Sequence, residues 1–368
     1  TDIAKKKRLK GELFGLRAFC HFQVLKSYAE SYDPNAMGIP YMETIADDPR
    51  TVKPSRLKVS EVFAKIHKDL DSAKFYIPPF VQATNPTNRI WPDLTRLTKK
   101  VISAMQARIF LYERKWTDAI TAATEVINET PLTPRGDFQK IWSDDALLDT
   151  ATKTTEVIWK LKKETGNDRI GVFYRPTSST SNNVLNTTVD YSPSLKLIYA
   201  FNRTNDIRYS SYIRILERGY NRTPNLVTKY HPNPNSNGLA DIKLFRVAEM
   251  YLIRAEAYAE NNNLTLANAD INKLRSARIS NNTNWDITDK DVFIDSLYRE
   301  RFRELAFEGH RYFDLRRRSK PILREPRAPD DAGGANAIEL RPTQRQYYLP
   351  IPGFEIRANP NMKQNPNY

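Results

Sequence analysis

The stretch RERFRELAFEGHRYFDLRRR, residues Arg299–Arg318, decides how the chain is expected to fold. Apolar residues recur at helical spacing on both sides of Gly309, and a glycine readily takes the left-handed conformation that ends a helix. The stretch therefore predicts a helical hairpin made of Asp291–Glu308 and His310–Ser319.

A line of carboxylates runs along the first helix of this hairpin, because Glu300, Glu304 and Glu308 are four residues apart. Such a line is compatible with acid–base chemistry or a metal site, but arginines follow at the spacing that forms ion pairs on a helix. We therefore expect a structural ion-pair network at the hairpin, in which buried Arg–Glu pairs would fix the register of the two helices more than add net stability. Its expected members are Glu304, Glu308, Arg311, Asp314 and Arg318.

The same periodicity predicts three further helix pairs. They are Ala4–Ala29 with Ser60–Phe75, Val101–Tyr112 with Trp116–Ile127, and Lys243–Glu260 with Leu264–Arg278. Small residues at facing positions are typical of tetratricopeptide-like hairpins. The expected fold is mostly α, with four such hairpins in a right-handed superhelical scaffold and a long irregular insertion containing short strands. Cys20 lies in an apolar helical context and is expected to be buried.

The repeats and the insertion divide the sequence into four segments of one structural domain. Residues 1–131 hold the first two repeats, 132–242 form the loop-rich insertion, 243–320 hold the last two repeats, and 321–368 form an extended tail packed on the scaffold. Within the insertion, Glu156–Lys162 alternates like a strand, and Arg175–Asp190 has too few apolar residues to pack. The prolines at 350, 352, 360 and 366 predict that the tail has no helix.

Composition excludes several classes of function. The net charge is +14, but bases are interleaved with acids and no zinc-finger or RNA-binding motif occurs, so nucleic acid is not an expected partner. The four histidines and the single cysteine have no ligand-like spacing, so neither a metal nor a cofactor is expected. No nucleophile, phosphate-loop or dinucleotide motif occurs, which argues against an enzyme. The chain opens inside a basic helix, so we expect the true N-terminus to lie upstream.

The insertion carries the best candidates for binding a ligand. Sugar rings pack their C–H faces on aromatic side chains, while polar side chains bond their hydroxyl groups. The candidate ligand-binding residues are Tyr174, Arg175, Asn167, Asp168, Asn182, Asn183 and Tyr191. The alternative for the two tyrosines is ordinary packing.

Six segments, in order, resemble the SusD/RagB family. They are Gly11–Met42, Leu97–Ile127, Tyr191–Ile213, Lys243–Asn263, Arg299–Arg318 with its Glu-Leu-x-x-Glu-Gly-x-Arg pattern, and Pro350–Tyr368 with its Pro-Ile-Pro and Gln-Asn-Pro-x-Tyr ending. The matches span nearly the whole chain.

The resemblance implies a lipid-anchored protein on the outer face of the bacterial outer membrane. Such proteins bind a glycan, or in some members a peptide, and deliver it without catalysis to a SusC-like TonB-dependent transporter. The family's lipidated cysteine lies near the mature N-terminus, so it is not Cys20, and the anchor and N-terminal segment are expected to be missing from this chain. Capture of peptides by the same architecture and a repeat adaptor for a protein partner stay open.

Overall fold

The computed structural model describes residues 2–45, 48, 50–79, 94–143, 155–163, 169–174, 191–214, 226–230, 238–324 and 338–368. The helices are α1 (Asp2–Tyr28), α2 (Val59–Tyr76), α3 (Lys99–Glu113), α4 (Trp116–Glu129), α5 (Lys140–Ser143), α6 (Leu195–Ala200), α7 (Ile207–Tyr212), α8 (Val247–Glu260), α9 (Leu264–Ser276), α10 (Lys290–Glu304), α11 (Arg311–Arg317) and α12 (Gly353–Ala358). The mostly helical fold is confirmed. No helix in these ranges has both the length and the apolar composition needed to cross a membrane.

Short strands form three antiparallel pairs in the described ranges. They are β1 (Val157–Leu161) with β4 (Ile242–Arg246), β2 (Ile213–Arg214) with β3 (Leu226–Val227), and β5 (Ile322–Leu323) with β6 (Glu339–Leu340). The strand predicted within Glu156–Lys162 is confirmed as β1. The prediction that a helix begins at Lys243 is wrong, because pairing with β1 keeps this residue extended and α8 begins only at Val247.

The chain forms two compact units, each assembled from separate stretches. The first comprises Thr1–Pro79, Leu97–Lys115 and His310–Tyr368, and the second comprises Phe80–Arg96 and Trp116–Gly309. The first unit therefore holds α1–α3, α11 and α12, and the second holds α4–α10. The division into four consecutive segments stays a prediction.

In the first unit, α1 approaches the C-terminal end of α2 closely because a glycine stands at the contact. A Cβ atom on Gly11 would lie 2.9 Å from the backbone nitrogen of Ile77 and 3.0 Å from the Cβ of Tyr76. The opposite side of α1 faces outward, so Cys20 is exposed and the prediction of a buried thiol is wrong.

Arg316 of α11 stabilises the C-terminal end of α1. Its Nη1 atom donates to the carbonyl oxygens of Lys26 and Ser27 at 2.6 and 3.1 Å, and Nη2 donates to that of Ala29. These are among the carbonyls that a helix leaves without an internal donor, and a cation is favoured at this end of the helix dipole. The side chain is buried, so the contact ties α11 to α1.

The C-terminal tail contains a short helix, α12, so the prediction that its prolines exclude one is wrong. Pro352 stands at the N-cap, where its missing N–H costs no helical hydrogen bond, and Pro360 follows the C-cap residue Asn359. Asparagine side chains hold the tail in place, since Asn359 donates to Pro54 O at 2.8 Å and Asn365 to Leu349 O at 2.9 Å.

In the second unit, α8 is the central helix. It packs against α4, α9 and α10, so most of its surface is buried and it needs no polar face. Elsewhere in this unit, the aromatic rings of Phe138, Trp142 and Tyr212 form a buried group. The guanidinium of Arg278 lies 4.1 Å from the centre of the Phe138 ring. Charged groups in this unit are thus packed against aromatic side chains.

Replacing Gly11 by alanine should destabilise the protein, although alanine favours helices by about 1 kcal/mol over glycine. The new Cβ would press on the Ile77 backbone, which cannot rotate away, so we expect the free energy of unfolding to fall by about 1–3 kcal/mol. Urea denaturation measures it. Gly136→Ala is the matched control, because nothing lies within 4 Å of its Cβ position. Equal stability of the two variants would contradict the close helix contact.

Candidate functional site

The carboxylate of Glu304, at the end of α10, lies among three guanidinium groups in the second unit. Arg246 donates to it at 2.9 Å, Arg208 at 3.0 Å and Arg278 at 3.2 Å. All four side chains are buried. Arg208 comes from α7, Arg246 from the end of β4 and Arg278 from the turn after α9, so one carboxylate joins three elements to α10.

Three more carboxylates complete this arrangement. Glu156 accepts from Arg246 at 2.5 Å and from Arg278 at 2.6 Å. Glu300 accepts from Arg208 at 2.6 Å, and Glu308 accepts from Arg246 at 2.6 Å and from Lys229 at 2.8 Å. We call this set the buried ion-pair network: Glu156, Glu300, Glu304, Glu308, Arg208, Arg246, Arg278 and Lys229.

The structure corrects the predicted surroundings of the glutamate line. The glutamates were expected to pair within the hairpin, but Glu300 and Glu304 are fully buried and both accept from Arg208 of α7. Arg208 is 96 residues from Glu304 in the sequence, so local spacing could not reveal it. Three other predicted members lie in the first unit, where Arg317 donates to Asp314 at 3.2 Å: Arg311, Asp314 and Arg318.

The electrostatics keep the carboxylates of Glu304 and Glu300 ionised. Burial alone would raise the pKa of Glu304, but the charges of Arg278, Arg246 and Arg208 outweigh it and hold the pKa well below its usual range. The same balance lowers the pKa of Glu300 to about 2. Since the folded pKa values are depressed, the stabilisation is present above the usual value of 4.5 and is lost as the pH falls towards the folded value. At neutral pH the network therefore holds α7, β4 and the turn after α9 against α10.

Burial has the opposite effect on Lys229, whose pKa it lowers to about 8 although Glu308 opposes the shift. The ammonium group lies 4.1 Å from the centre of the Trp142 ring and 4.0 Å from that of Tyr212. It donates to Ala306 O at 2.7 Å. The lysine thus fixes the turn that follows α10.

An aromatic cluster lies next to that turn, in the same unit. Tyr174 stacks on Tyr230 with ring centroids 5.6 Å apart and planes at 19°, and meets Phe307 edge-on at 6.0 Å. Tyr191 lies 6.2 Å from Tyr174 and 6.1 Å from Phe173. We call these five residues the aromatic cluster.

Backbone contacts hold the outer part of the aromatic cluster. Phe173 and Tyr174 belong to a short 3₁₀ helix, Ile170–Tyr174. The backbone N–H of Tyr191 donates to Phe173 O at 3.0 Å, which brings these two residues of the insertion together. The Tyr191 ring is 61 % exposed and the Phe173 ring 48 % exposed, so both are open to a ligand.

The inner part of the cluster comes from Tyr230 and Phe307. The Tyr230 hydroxyl donates to Phe307 O at 2.9 Å, and Phe307 has a φ of 66° in the turn after α10. The helix ends at Glu304, before the predicted end at Glu308, and Gly309 takes the left-handed conformation expected of it. Sequence analysis missed both inner residues, because neither ring stands near the insertion's polar loop in the sequence.

Two of the seven predicted ligand-binding residues fall in the described part of the chain, and the structure brings them together: Tyr174 and Tyr191. The others lie outside the described residues: Arg175, Asn167, Asp168, Asn182 and Asn183. The predicted loop Arg175–Asp190 lies outside them too. Within the described ranges, no group of His, Cys, Asp and Glu side chains is placed to hold a metal ion.

Two known protein families match large parts of this chain. Residues 219–368 match the SusD family, and residues 1–111 match a SusD-like family described as starch-binding and associating with the outer membrane. The chain belongs to the SusD family. This confirms the resemblance drawn from the six sequence segments.

Individual SusD relatives agree with this assignment. A SusD-like protein of Formosa agariphila is 26 % identical over 97 % of this chain and 73 % of its own length. The starch-binding protein SusD of Bacteroides thetaiotaomicron is 34 % identical over 35 % of this chain and 22 % of its own length. The crystal structure of a SusD superfamily protein from Bacteroides thetaiotaomicron has a TM-score of 0.80 at 21 % identity, and the match covers 100 % of this chain and 80 % of that one.

Replacing Glu304 by glutamine should leave three buried guanidinium groups without their shared carboxylate. We expect the free energy of unfolding to fall by about 3–5 kcal/mol, the cost of breaking a buried ion pair. Thermal and urea denaturation measure it. Glu339→Gln is the control, because Glu339 pairs with Arg341 at the surface and its loss should change stability little. A small change in the free energy of unfolding of Glu304→Gln would show that the network does not hold α7, β4 and the turn after α9 against α10.

Proposed function

We propose that this SusD-family protein binds an oligosaccharide at the cell surface through the aromatic cluster and delivers it to a SusC-type TonB-dependent transporter. The observation that supports binding is a pair of exposed rings, Phe173 and Tyr191, next to the more buried ring of Tyr174. The rings are held before any ligand arrives.

The geometry of the cluster suits a sugar. A pyranose presents a flat face of C–H groups to an aromatic ring, and rings that are already fixed lose little conformational entropy on binding. Burial raises the pKa of Tyr174, so its phenol stays protonated at neutral pH and remains a hydrogen-bond donor. The cluster thus combines apolar surface with a polar group that orients the ligand.

Several observations favour binding rather than catalysis at the outer membrane. In the buried ion-pair network, Glu156, Glu300 and Glu304 each accept from an arginine, which leaves these three carboxylates no role as acid or base. The family description names starch binding and association with the outer membrane, and a relative is named as a starch-binding protein. We propose a cell-surface location with a lipid anchor at the N-terminus of the whole protein.

Tyr191→Ala should weaken oligosaccharide binding about tenfold, equivalent to about 1.4 kcal/mol, because an exposed stacking surface is removed. Isothermal titration calorimetry against a panel that includes maltoheptaose, neutral and acidic oligosaccharides and tryptic peptides would measure this. Tyr191→Phe keeps the ring and should retain most of the affinity.

Phe354→Ala is the matched control, because this ring is 62 % exposed but belongs to α12 in the first unit. Chromatography of the titrated sugars should show no new products. Binding that survives Tyr191→Ala unchanged would remove the cluster from the site, and selective binding of peptides would replace sugars as the ligand.

The proposed delivery to a transporter predicts a stable complex. A SusC-type transporter should co-purify with the full-length protein from detergent-solubilised outer membranes. The complex should persist in Tyr191→Ala, because that change removes a ligand contact alone. Recovery of the protein without any transporter would argue against delivery.

A further inference from the structure

The side chain of Arg203 lies between two tyrosine rings in the turn that joins α6 to α7. Its guanidinium carbon is 5.8 Å from the centre of the Tyr199 ring and 5.7 Å from that of Tyr209. Arg203 is exposed, and the Tyr199 ring is 71 % exposed. A cation and a flat apolar surface therefore stand side by side at the surface.

The backbone of this turn is held by hydrogen bonds. The side-chain oxygen of Asn202 accepts from the backbone N–H groups of Thr204 and Asn205 at 3.1 and 3.0 Å. The N–H of Ser280 donates to Asn205 O at 3.0 Å, which joins the turn to the segment after α9. Arg203 is thus presented from a fixed backbone.

Other ring-packed arginines of this unit also have a carboxylate partner. Arg254 packs on Tyr251 and bonds Asp270 at 2.6 Å, and Arg275 packs on Trp285 and bonds Glu300 at 3.1 Å. Each combines a ring contact with an acid, which neutralises the guanidinium.

Arg203 differs from these two arginines, because it contacts aromatic rings but pairs with no acidic side chain in the described part of the chain. Within the part of the chain that the structure describes, its guanidinium has neither a hydrogen bond nor an ion pair to the protein. The sequence from Tyr191 to Asn205 contains no Asp or Glu, and the carboxylate of the next residue, Asp206, is buried and bonded to Arg208 at 2.7 and 2.9 Å. The guanidinium of Arg203 is planar, and its paired N–H donors match the two oxygens of a carboxylate. It is therefore available to bind the carboxylate of a ligand.

We propose that Arg203, together with the rings of Tyr199 and Tyr209, binds the carboxylate of an acidic sugar residue. This assignment rests on the proposed function and names the class of its substrate, a uronate-containing oligosaccharide. A uronate ring offers a C–H face for Tyr199 and a carboxylate for Arg203. An acidic peptide offers only the carboxylate, so the exposed ring favours the sugar.

The test uses tetrasaccharides of galacturonate, mannuronate and guluronate, each beside its methyl ester, titrated calorimetrically into the whole protein. In at least one pair the acid should bind about tenfold more tightly than the ester, as expected for hydrogen bonds to a charged group. Arg203→Gln should abolish this preference, and raising the salt concentration should reduce it. Arg357→Gln removes the same charge from exposed α12 and should leave the preference intact.

The outcomes separate this inference from the proposed function. If neutral oligosaccharides bind and the acids gain nothing over their esters, the carboxylate subsite is wrong while sugar binding stands. If Arg203→Gln keeps the preference, another residue is responsible and the assignment fails. Tetraglutamate binding as tightly as the best tetrauronate would overturn the choice of a sugar, and no binding of any saccharide would overturn both proposals. Arg203 is exposed, so an unchanged melting temperature should accompany its loss.

Discussion

The fold of the second unit depends on how the carboxylate of Glu304 is neutralised. A buried carboxylate without partners is strongly unfavourable, so α7, β4 and the turn after α9 must all reach α10 with an arginine in place. Few alternative packings satisfy three guanidinium groups at once. Buried ion pairs add little net stability over apolar packing, and we infer that this network selects one arrangement of the helices.

The same network connects to the aromatic cluster through the turn after α10. Glu308 holds Lys229 and Arg246, and Lys229 donates to Ala306 O. The next residue, Phe307, takes a left-handed conformation, accepts from the Tyr230 hydroxyl and meets the ring of Tyr174. The stretch that identifies the family therefore also supports the candidate ligand surface. The sequence did not reveal this contact, because the phenylalanine looked like one more apolar position.

Local pattern predicted the helices well, and long-range contacts decided what it missed. Periodicity indicated α1, α3, α4, α8 and α10 because an amphipathic repeat is a local property. The exposure of Cys20 depends on which side of α1 finds a neighbour, and the burial of Glu300 depends on Arg208, which is 92 residues away. Tyr174 and Tyr191 were identified by residue type and proximity in sequence, whereas the stacking partner Tyr230 stands outside the predicted group.

Charge is distributed differently between the interior and the surface. In the buried ion-pair network four carboxylates face three arginines and a lysine, so the described interior there is close to neutral. The surplus that gives a net charge of +14 must therefore lie largely outside this network. Most such cations are solvated and unselective. A guanidinium held between two rings is different, because its position is fixed and its donors keep their spacing. Such a guanidinium can select one anionic ligand over another because of where it is held. We therefore use Arg203, and not the overall charge, to infer the class of ligand.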